Sequence, residues 1–244
     1  MWREWQARWR GPAEVAAAGH DHLIRAWGRL GYPRRALRLH ACAVAVVDRH
    51  GGALPDTEPA LRALPGVGEY TAAAVLAFAH GRRSVVLDTN VRRVLARLIG
   101  GVALPAQHLT AAERVAADGV VPDEHAAAAR WNAAVMELGA LVCTSRDPAC
   151  GSCPVAAQCS WLAAGRPADP LAATRRRQAW RGTDRQARGT VMAALRAADD
   201  GVTPEALGRL WSDADQLDRA VAGLLADRLA DRHGDRLHLP GGSG

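Results

Sequence analysis

Four cysteines confined to seventeen residues constrain this 244-residue chain more than any other feature of its sequence. They follow the spacing C-x6-C-x2-C-x5-C, at Cys143, Cys150, Cys153 and Cys159. Four thiolates on so short a loop can surround one tetrahedral ion or one iron–sulfur cluster. Zinc sites commonly pair two short C-x2-4-C hooks, and here only Cys150 and Cys153 form one. The wider gaps favour a [4Fe-4S] cluster, and zinc stays open on chemistry alone.

The remaining composition indicates a helical protein with a polyanionic partner. Alanine and leucine are abundant and alternating β-branched runs are scarce, which predicts helices. The net charge is +6, and all basic residues are arginine because the chain contains no lysine. This excess of positive charge fits nucleic acid. No segment resembles a signal peptide or a membrane span, so we expect a cytoplasmic protein without a membrane partner. In that compartment, clustered cysteines indicate a metal site rather than disulfides.

The helix patterns divide the chain into segments. We expect a helical domain at 1–165, a basic linker at 166–184, a small domain at 185–240 and a tail at 241–244. Helix, helix-turn-helix and a hairpin turning at His233-Gly234 give the small domain a winged-helix pattern. Its third helix carries Ser212 and Asp215 at the spacing of a capping box.

The stretch LPGVGEYTAAAV, Leu64 to Val75, enters a predicted helix (about 70–80) through a glycine hairpin. Gly66 and Gly68 are expected to adopt backbone angles closed to other residues, leaving bare amides in the turn. Amides beside a helix N-terminus favour a site for a phosphate backbone. The alternative is an ordinary helix–helix turn.

The segment VVLDTNVRRVLARL places Asp88 between an apolar extended run and a helix that begins near Asn90. Periodicity puts valines and leucines on the apolar face of that helix and places Arg92, Arg93 and Arg97 off it. Taken alone, Asp88 is an N-cap. A carboxylate at a helix N-terminus could also stabilise a sugar oxocarbenium ion at the mouth of a cleft.

In this order, the hairpin, the aspartate segment and the cysteine loop resemble the helix-hairpin-helix DNA glycosylases that carry a [4Fe-4S] cluster. WGRLGYPRRALRLH (27–40) and WNAAVMELGALVCTSRDPACGSCP (131–154) are similar to the A/G-specific adenine glycosylases of the MutY type. The resemblance covers residues 1 to about 165. It implies an all-α, two-lobed fold acting on double-stranded DNA. It also implies excision of adenine, flipped from the duplex, opposite guanine or 8-oxoguanine by a monomer.

The resemblance also implies residue roles. Asp88 would be the catalytic aspartate, with Tyr70 hydrogen-bonded near it, and Tyr32 would wedge into the base stack beside the oxidised guanine. Both tyrosines have a plainer alternative, packing on their own helices. Lyase relatives carry a lysine where Tyr70 stands, so a lysine Schiff base is impossible here and a monofunctional glycosylase is expected. The DNA contacts implied are Leu64, Gly66, Gly68, Tyr32 and Asn90, and the cluster ligands are the four loop cysteines.

Two departures from the family change the expectations. In the family a glutamate acts as the general acid, and it lies upstream of the region that these residues cover. Glu4 does not take its place, because it matches a family segment that follows that glutamate. We therefore expect the natural start to lie upstream of Met1, the alternative being a genuinely truncated protein, and little adenine excision by the 244 residues alone. Residues 185–240 are too short and too helical for the Nudix-like domain of many relatives, which leaves the preference for 8-oxoguanine open.

Two rival functions follow. A thymine or uracil mismatch glycosylase would use the same scaffold and release a different base. A noncatalytic DNA-binding protein would keep the basic surface and the cysteine loop but release none.

Overall fold

The computed structural model describes residues 2–175 and 181–241. Over those residues the chain is almost entirely helical, with one short hairpin. The elements are α1 (Trp2–Arg8), α2 (Pro12–Ala16), α3 (His20–Trp27), α4 (Arg34–His50), α5 (Glu58–Arg62), α6 (Glu69–Phe78), α7 (Thr89–Leu98), α8 (Ala111–Asp118), α9 (His125–Leu141), α10 (Ser160–Ala163), α11 (Asp184–Ala197), α12 (Pro204–Leu210), α13 (Ala214–Ala226), β1 (Asp231–His233) and β2 (Arg236–His238). Two 3-10 turns, Cys150–Ser152 and Ala156–Gln158, lie in the cysteine loop.

Helix ends follow the local chemistry of the sequence. Gly51 ends α4 in the left-handed conformation, at φ +60°. Thr203 caps α12, with Pro204 in its first turn. The predicted capping box of α13 is wrong: Asp213 is the cap, and its Oδ1 accepts from the Gln216 amide at 2.9 Å. Serine one residue earlier lies outside the helix, so the nearer carboxylate takes that amide.

The chain packs into two compact units. The terminal unit comprises Met1–Pro55, Leu64–Gly66 and Arg177–Gly244, and the middle unit comprises Asp56–Ala63 and Val67–Arg176. The predicted domain boundaries are drawn along the sequence and stay a prediction, because compactness measures packing and not independent folding. The linker and tail predictions fall partly on 176–180 and 242–244, which lie outside the described residues.

In the terminal unit, helices from both ends of the chain share one core. Ile24 of α3 and Ala36 of α4 are fully buried in the same cluster as Val191, Leu195 and Leu224 of α11 and α13. Burial of such side chains is worth about 1.5–3 kcal/mol each for the larger ones. The C-terminal helices are therefore an integral part of the unit that begins the chain.

The C-terminal hairpin completes this core. β1 and β2 pair antiparallel, with His233 opposite Arg236, so the turn lies at Gly234-Asp235, one residue later than predicted. Val202 forms a bridge to Leu237, and Leu237 is 3 % exposed. The predicted order of helix, helix-turn-helix and hairpin is what the structure contains.

In the middle unit, α7 packs on α9 and α6 packs on α9. Val91 and Leu95 of α7 are buried against Trp131 and Val135 of α9, which confirms the predicted apolar face. This places the residue before α7, Asp88, at the edge of a rigid helical pair. No helix among the described residues is long and apolar enough to cross a bilayer.

Candidate active site and cysteine loop

A buried asparagine fixes the extended segment that leads to Asp88. Asn132 of α9 is fully buried, accepts from the Val86 amide at 3.2 Å and donates to the Ser84 carbonyl at 2.8 Å. It thereby pairs backbone groups that would otherwise be buried without partners. Sequence reasoning did not assign Asn132 a role. Its signal was a lone amide in the alanine-rich stretch WNAAV, where a buried polar side chain must have hydrogen-bond partners.

Asp88 is the N-cap of α7. Its Oδ1 accepts from the Val91 amide at 2.6 Å, and its Oδ2 accepts from Asn90 Nδ2 at 3.1 Å. Both oxygens are thus oriented, and the helix N-terminus stabilises their negative charge. The capping role expected of an aspartate here is observed, and it leaves the carboxylate partly exposed rather than burying it.

Asp88 and Tyr70 line one open pocket with a volume of about 400 Å³, together with Leu87, Thr89, Arg92 and Leu109. Tyr70 is 43 % exposed. Partial burial, and secondly the negative charge of Asp88, raise the pKa of the Tyr70 phenol above its ordinary value. Tyr70 therefore stays protonated at neutral pH and offers the pocket a hydrogen-bond donor.

Arg92 supplies the positive edge of this pocket, and its guanidinium is already anchored. It donates to both carboxylate oxygens of Glu113 at 2.9–3.1 Å and to the Ala106 carbonyl at 2.7 Å. Burial opposes ionisation of Glu113, but hydrogen bonds from Thr110 and Arg92 outweigh it and lower the pKa of that carboxyl. Arg92 is held in place at neutral pH by an ionised partner.

The two hairpin glycines, Gly66 and Gly68, differ in backbone conformation and in the space around them. Gly66 has φ +77°, and a Cβ there would lie 2.8 Å from Arg38 Cβ, so both the backbone angle and the close approach require glycine. Gly68 caps α6 at φ −92° and ψ 177°, a backbone that any residue adopts, so the expectation of a special angle at Gly68 is wrong. A Cβ at Gly68 would meet no atom within 4 Å, and glycine there leaves the helix N-terminus uncovered.

The other predicted DNA contacts occupy different environments. Leu64 is only 3 % exposed, so it is part of the core and not of the surface that a ligand would meet. Tyr32 is 60 % exposed, at φ +45°. Asn90 lies between Asp88 and Arg93, accepting at Oδ1 from Arg93 Nη2 at 2.9 Å. Of the predicted catalytic and DNA-contacting residues, the structure brings Asp88, Asn90 and Tyr70 into one neighbourhood.

Arg97 organises the cysteine loop, and its predicted position off the buried face is wrong. It is 3 % exposed and donates to three backbone carbonyls, those of Ala103, Thr144 and Ser145, at 2.8–3.2 Å. Its Nη1 also lies 3.3 Å from Cys143 Sγ, and its guanidinium lies 4.6 Å from the Trp161 ring centroid. A guanidinium has five donors, so burial is tolerated when carbonyls and a sulfur take them.

Arg93 is likewise buried, against expectation, at 6 % exposure. It donates to the Cys143 carbonyl at 2.7 Å and the Gly139 carbonyl at 2.6 Å, as well as to Asn90. Hydrogen bonds therefore run continuously from Asp88 through Asn90 and Arg93 to Cys143. The signal in the sequence was the i, i+4 spacing of two arginines on the helix that precedes a cysteine-rich loop.

Gly139 allows α9 to approach α7 at this point. A Cβ at Gly139 would lie 2.7 Å from Asn90 Cβ and 3.0 Å from its carbonyl carbon and oxygen. Any side chain would push α9 away from the residue that orients Asp88.

The cysteine loop fits a cluster of thiolate ligands. All four cysteines are free and partly buried, and the sulfur of the last one, Cys159, lies 3.6 Å from the Arg97 carbonyl oxygen. Within 2–175 and 181–241, no three Cys, His, Asp or Glu side chains converge tightly enough for a single ion. The donor set of four sulfurs nevertheless matches the four-thiolate ligation of a [4Fe-4S] cluster.

Comparison with known proteins places the chain in a family. Residues 49–78 match the helix-hairpin-helix motif. The chain is 45% identical to an adenine DNA glycosylase of Mycobacterium tuberculosis over 99% of its length and 79% of the relative's. It is 43% identical to the adenine DNA glycosylase of Mycolicibacterium smegmatis, covering 82% of that protein. The human adenine DNA glycosylase is 38% identical over 64% of this chain and 28% of its own.

Solved structures confirm the predicted fold class. A thermostable thymine-DNA glycosylase superposes with a TM-score of 0.57 at 25% identity, over 67% of this chain and 75% of that one. A trapped endonuclease III–DNA covalent intermediate also gives 0.57, at 24% identity, over 68% and 76%. The all-α helix-hairpin-helix glycosylase fold agrees with the similarity that spans nearly the whole sequence. The chain belongs to the adenine DNA glycosylase family.

Proposed function

We propose that this protein is a monofunctional DNA glycosylase of base-excision repair that removes adenine paired with guanine or 8-oxoguanine. The observation that carries the proposal is Asp88, held by two hydrogen bonds at the N-terminus of α7 in the pocket that it shares with Tyr70. The family relationship supports adenine as the base.

The proposed mechanism depends on the positive charge that develops on the sugar during base release. When the bond between the sugar C1′ and the adenine nitrogen breaks, the electron pair leaves with the base and the sugar becomes an oxocarbenium ion. The Asp88 carboxylate would stabilise that cation, water would then add at C1′ and lose a proton to solvent, and the released base would take up a proton from solvent. Tyr70 would donate a hydrogen bond in the same pocket. Asp88 is the one carboxylate among the described residues that line it, so we assign no general acid.

DNA would be held by backbone and ring contacts. Gly66 and Gly68 expose the amides at the start of α6, which suit a phosphate. Tyr32, which is 60 % exposed, would enter the base stack beside the base opposite adenine, as the family resemblance implies. Leu64 and Asn90 complete the predicted contacts, although Leu64 is buried and the Asn90 amide is hydrogen-bonded to Asp88 and Arg93.

The four loop cysteines would hold a [4Fe-4S] cluster, whose iron–sulfur bonds would fix the loop that Arg93 and Arg97 attach to α7. Visible absorption with about four irons per chain would support this assignment. Colourless protein containing one zinc per chain would replace it by the tetrahedral site.

The test is base release from duplexes with one central A:8-oxoguanine or A:G pair. Adenine release by the full chain should be slow, because no general acid is assigned in the pocket, and it should leave the strand uncut, because the chain has no lysine for a Schiff base. Asp88→Asn should lower the single-turnover rate by about 100-fold or more, since it removes the charge that stabilises the cation. Asp213→Asn is the matched control, because it makes the same change at another helix N-cap and should leave the rate unchanged.

Other outcomes select other functions. Release of thymine or uracil would identify a mismatch glycosylase of different specificity, and duplex binding without release of any base would identify a DNA-binding protein. The ratio of adenine-release rates for the two duplexes measures the preference for the oxidised guanine directly.

A further inference from the structure

Tyr32 is presented by a fixed turn. Its backbone is left-handed at φ +45°, directly after Gly31 at φ +75°, and the Trp27 indole donates to the Gly31 carbonyl at 2.8 Å. A tyrosine in this conformation is strained, by about 1–3 kcal/mol. The turn thus holds an exposed ring at a definite place rather than on a mobile loop.

Two guanidinium groups lie over this ring, and they come from distant parts of the sequence. The Cζ atoms of Arg35, on α4, and Arg185, on α11, are each 5.0 Å from the ring centroid. Both arginine side chains are exposed. A cation within about 6 Å of an aromatic face is attracted to it, so the C-terminal helices contribute directly to the environment of Tyr32.

Packing holds Arg185 at this position. Asp227 accepts from Arg188 Nη2 at 2.5 Å and lies 3.1 Å from Arg34 Nη1, which joins α11 to the start of α4 beside Tyr32. A Cβ at Gly223 would collide with Arg188 Nη1, so glycine makes room for this bridge. Arg185 is three residues before Arg188 and therefore lies on the same face of α11.

The far end of α11 is attached as well. Arg25 of α3 donates to the Arg196 carbonyl at 2.5 Å and the Ala198 carbonyl at 2.7 Å. With both ends joined to α3 and α4, and its apolar face in their core, α11 carries Arg185 as a rigid element.

We propose that Arg185 is a positioning residue that holds the Tyr32 ring and binds the DNA phosphate beside the base opposite adenine. The proposal rests on the proposed function, in which Tyr32 enters the stack next to that base. A guanidinium next to an inserted ring is close to the phosphate of the same strand, and guanidinium groups are well suited to phosphate. The C-terminal helices then form part of the DNA interface.

The experiment measures binding of the full chain to a duplex with a non-hydrolysable adenosine analogue opposite 8-oxoguanine, over a series of salt concentrations. Arg185→Ala should weaken binding about fivefold. It should also reduce the slope of log K against log salt by about 1, because one phosphate contact is lost. Arg185→Lys should restore the slope, since it keeps the charge. Arg209→Ala, at an exposed arginine of α12, should match the wild type.

A double substitution tests the connection to the ring. If Arg185 acts on Tyr32, the loss in Arg185→Ala/Tyr32→Ala should be smaller than the product of the two single losses. Unchanged affinity and salt slope in Arg185→Ala, with wild-type thermal stability, would overturn the inference. If the wild-type chain itself does not bind the duplex, the proposed function fails instead, so the two failures are distinguishable.

Discussion

Helices α7 and α4 both carry several arginines, but they use them in opposite ways. On α7, Arg93 and Arg97 are buried, at 6 % and 3 % exposure, and their donors are taken by backbone carbonyls and a cysteine sulfur. On α4, Arg34 and Arg35 are exposed, and their partners are a carboxylate and an aromatic ring. In a chain without lysine, one residue type serves both as a buried scaffold and as a surface cation.

The difference shows that the number of donors decides what an arginine can do when it is buried. A buried guanidinium stabilises the fold only if most of its N–H groups are paired, and each unpaired group costs about 1–3 kcal/mol. An exposed guanidinium keeps its water, and its contacts are worth less. Arginine-to-lysine substitutions keep the charge but remove most of the N–H donors. They should therefore destabilise the protein strongly on α7 and only slightly on α4.

The largest effect is expected for Arg97→Lys. One ammonium cannot replace the donors to Ala103, Thr144 and Ser145, so buried carbonyls lose their partners. We expect the free energy of unfolding in urea to fall by about 3 kcal/mol or more, and under the proposed iron–sulfur assignment the iron content should fall with it. Arg35→Lys on α4 is the control and should cost about 0.5 kcal/mol or less. Equal losses at the two positions would contradict the comparison.

Next comes Gly139→Ala, which tests the close approach of α7 and α9. The new methyl group would lie 2.7 Å from Asn90 Cβ, so the helices must separate, at a cost of about 1–3 kcal/mol in thermal or urea unfolding. Adenine release should also slow, because Asn90 orients Asp88. Gly208→Ala, on α12, is the matched control: a Cβ there meets nothing within 4 Å, so the change should stabilise by about 0.5–1 kcal/mol. A neutral Gly139→Ala would show that α7 is not held at this spacing.

A smaller loss of stability is expected for Gly66→Ala, which tests the close approach of this glycine to the aliphatic part of the Arg38 side chain on α4. The positive φ and the 2.8 Å approach to Arg38 Cβ together should cost about 1–2 kcal/mol, read from the urea midpoint. Gly68→Ala should leave stability within about 0.5 kcal/mol and instead weaken duplex binding, because its methyl group covers the amides at the start of α6. If Gly68→Ala bound DNA normally, the phosphate site would lie elsewhere.

The smallest effect is the pH dependence of stability, which we assign to a histidine pair because the arginines stay charged over the whole range. Partial burial, and then the neighbouring His40, lower the pKa of His20, whose Nε2 lies 3.2 Å from His40 Nδ1. Because the unfolded chain takes up this proton first, stability should be complete above about pH 6.5 and decline as pH falls below it. His20→Gln should flatten this part of the thermal-midpoint profile, whereas His108→Gln in the middle unit should not. A profile unchanged by His20→Gln would remove the histidine pair as its source.

The local structure could be predicted from sequence because its causes are local. Gly51, Thr203 and the apolar face around Val91 and Leu95 each act within one or two helical turns, and these predictions are confirmed. The position of Asp88 at a helix N-terminus could also be predicted from the sequence. The proximity of Tyr70 to that carboxylate agrees with the family resemblance, while the catalytic roles stay predictions.

What could not be predicted depends on partners far along the chain. Arg93 and Arg97 look like surface residues on a helical wheel, and most of the carbonyls that make their burial favourable lie about fifty residues later. The Arg185–Tyr32 contact joins the two ends of the chain and leaves no periodic signal. Gly68 shows the converse: its place in a hairpin indicated a special backbone angle, but its φ of −92° is ordinary.

The shared core of the terminal unit also sets an order of events during synthesis. Nearly all of the middle unit is one continuous stretch, 67–176, so most of its packing partners are synthesised one after another. Ile24 and Ala36 must wait for Leu237 and Leu239 before their core is closed. Such distant pairings are slow to form. Helices α3 and α4 therefore stay exposed until α11, α13 and the hairpin have been synthesised.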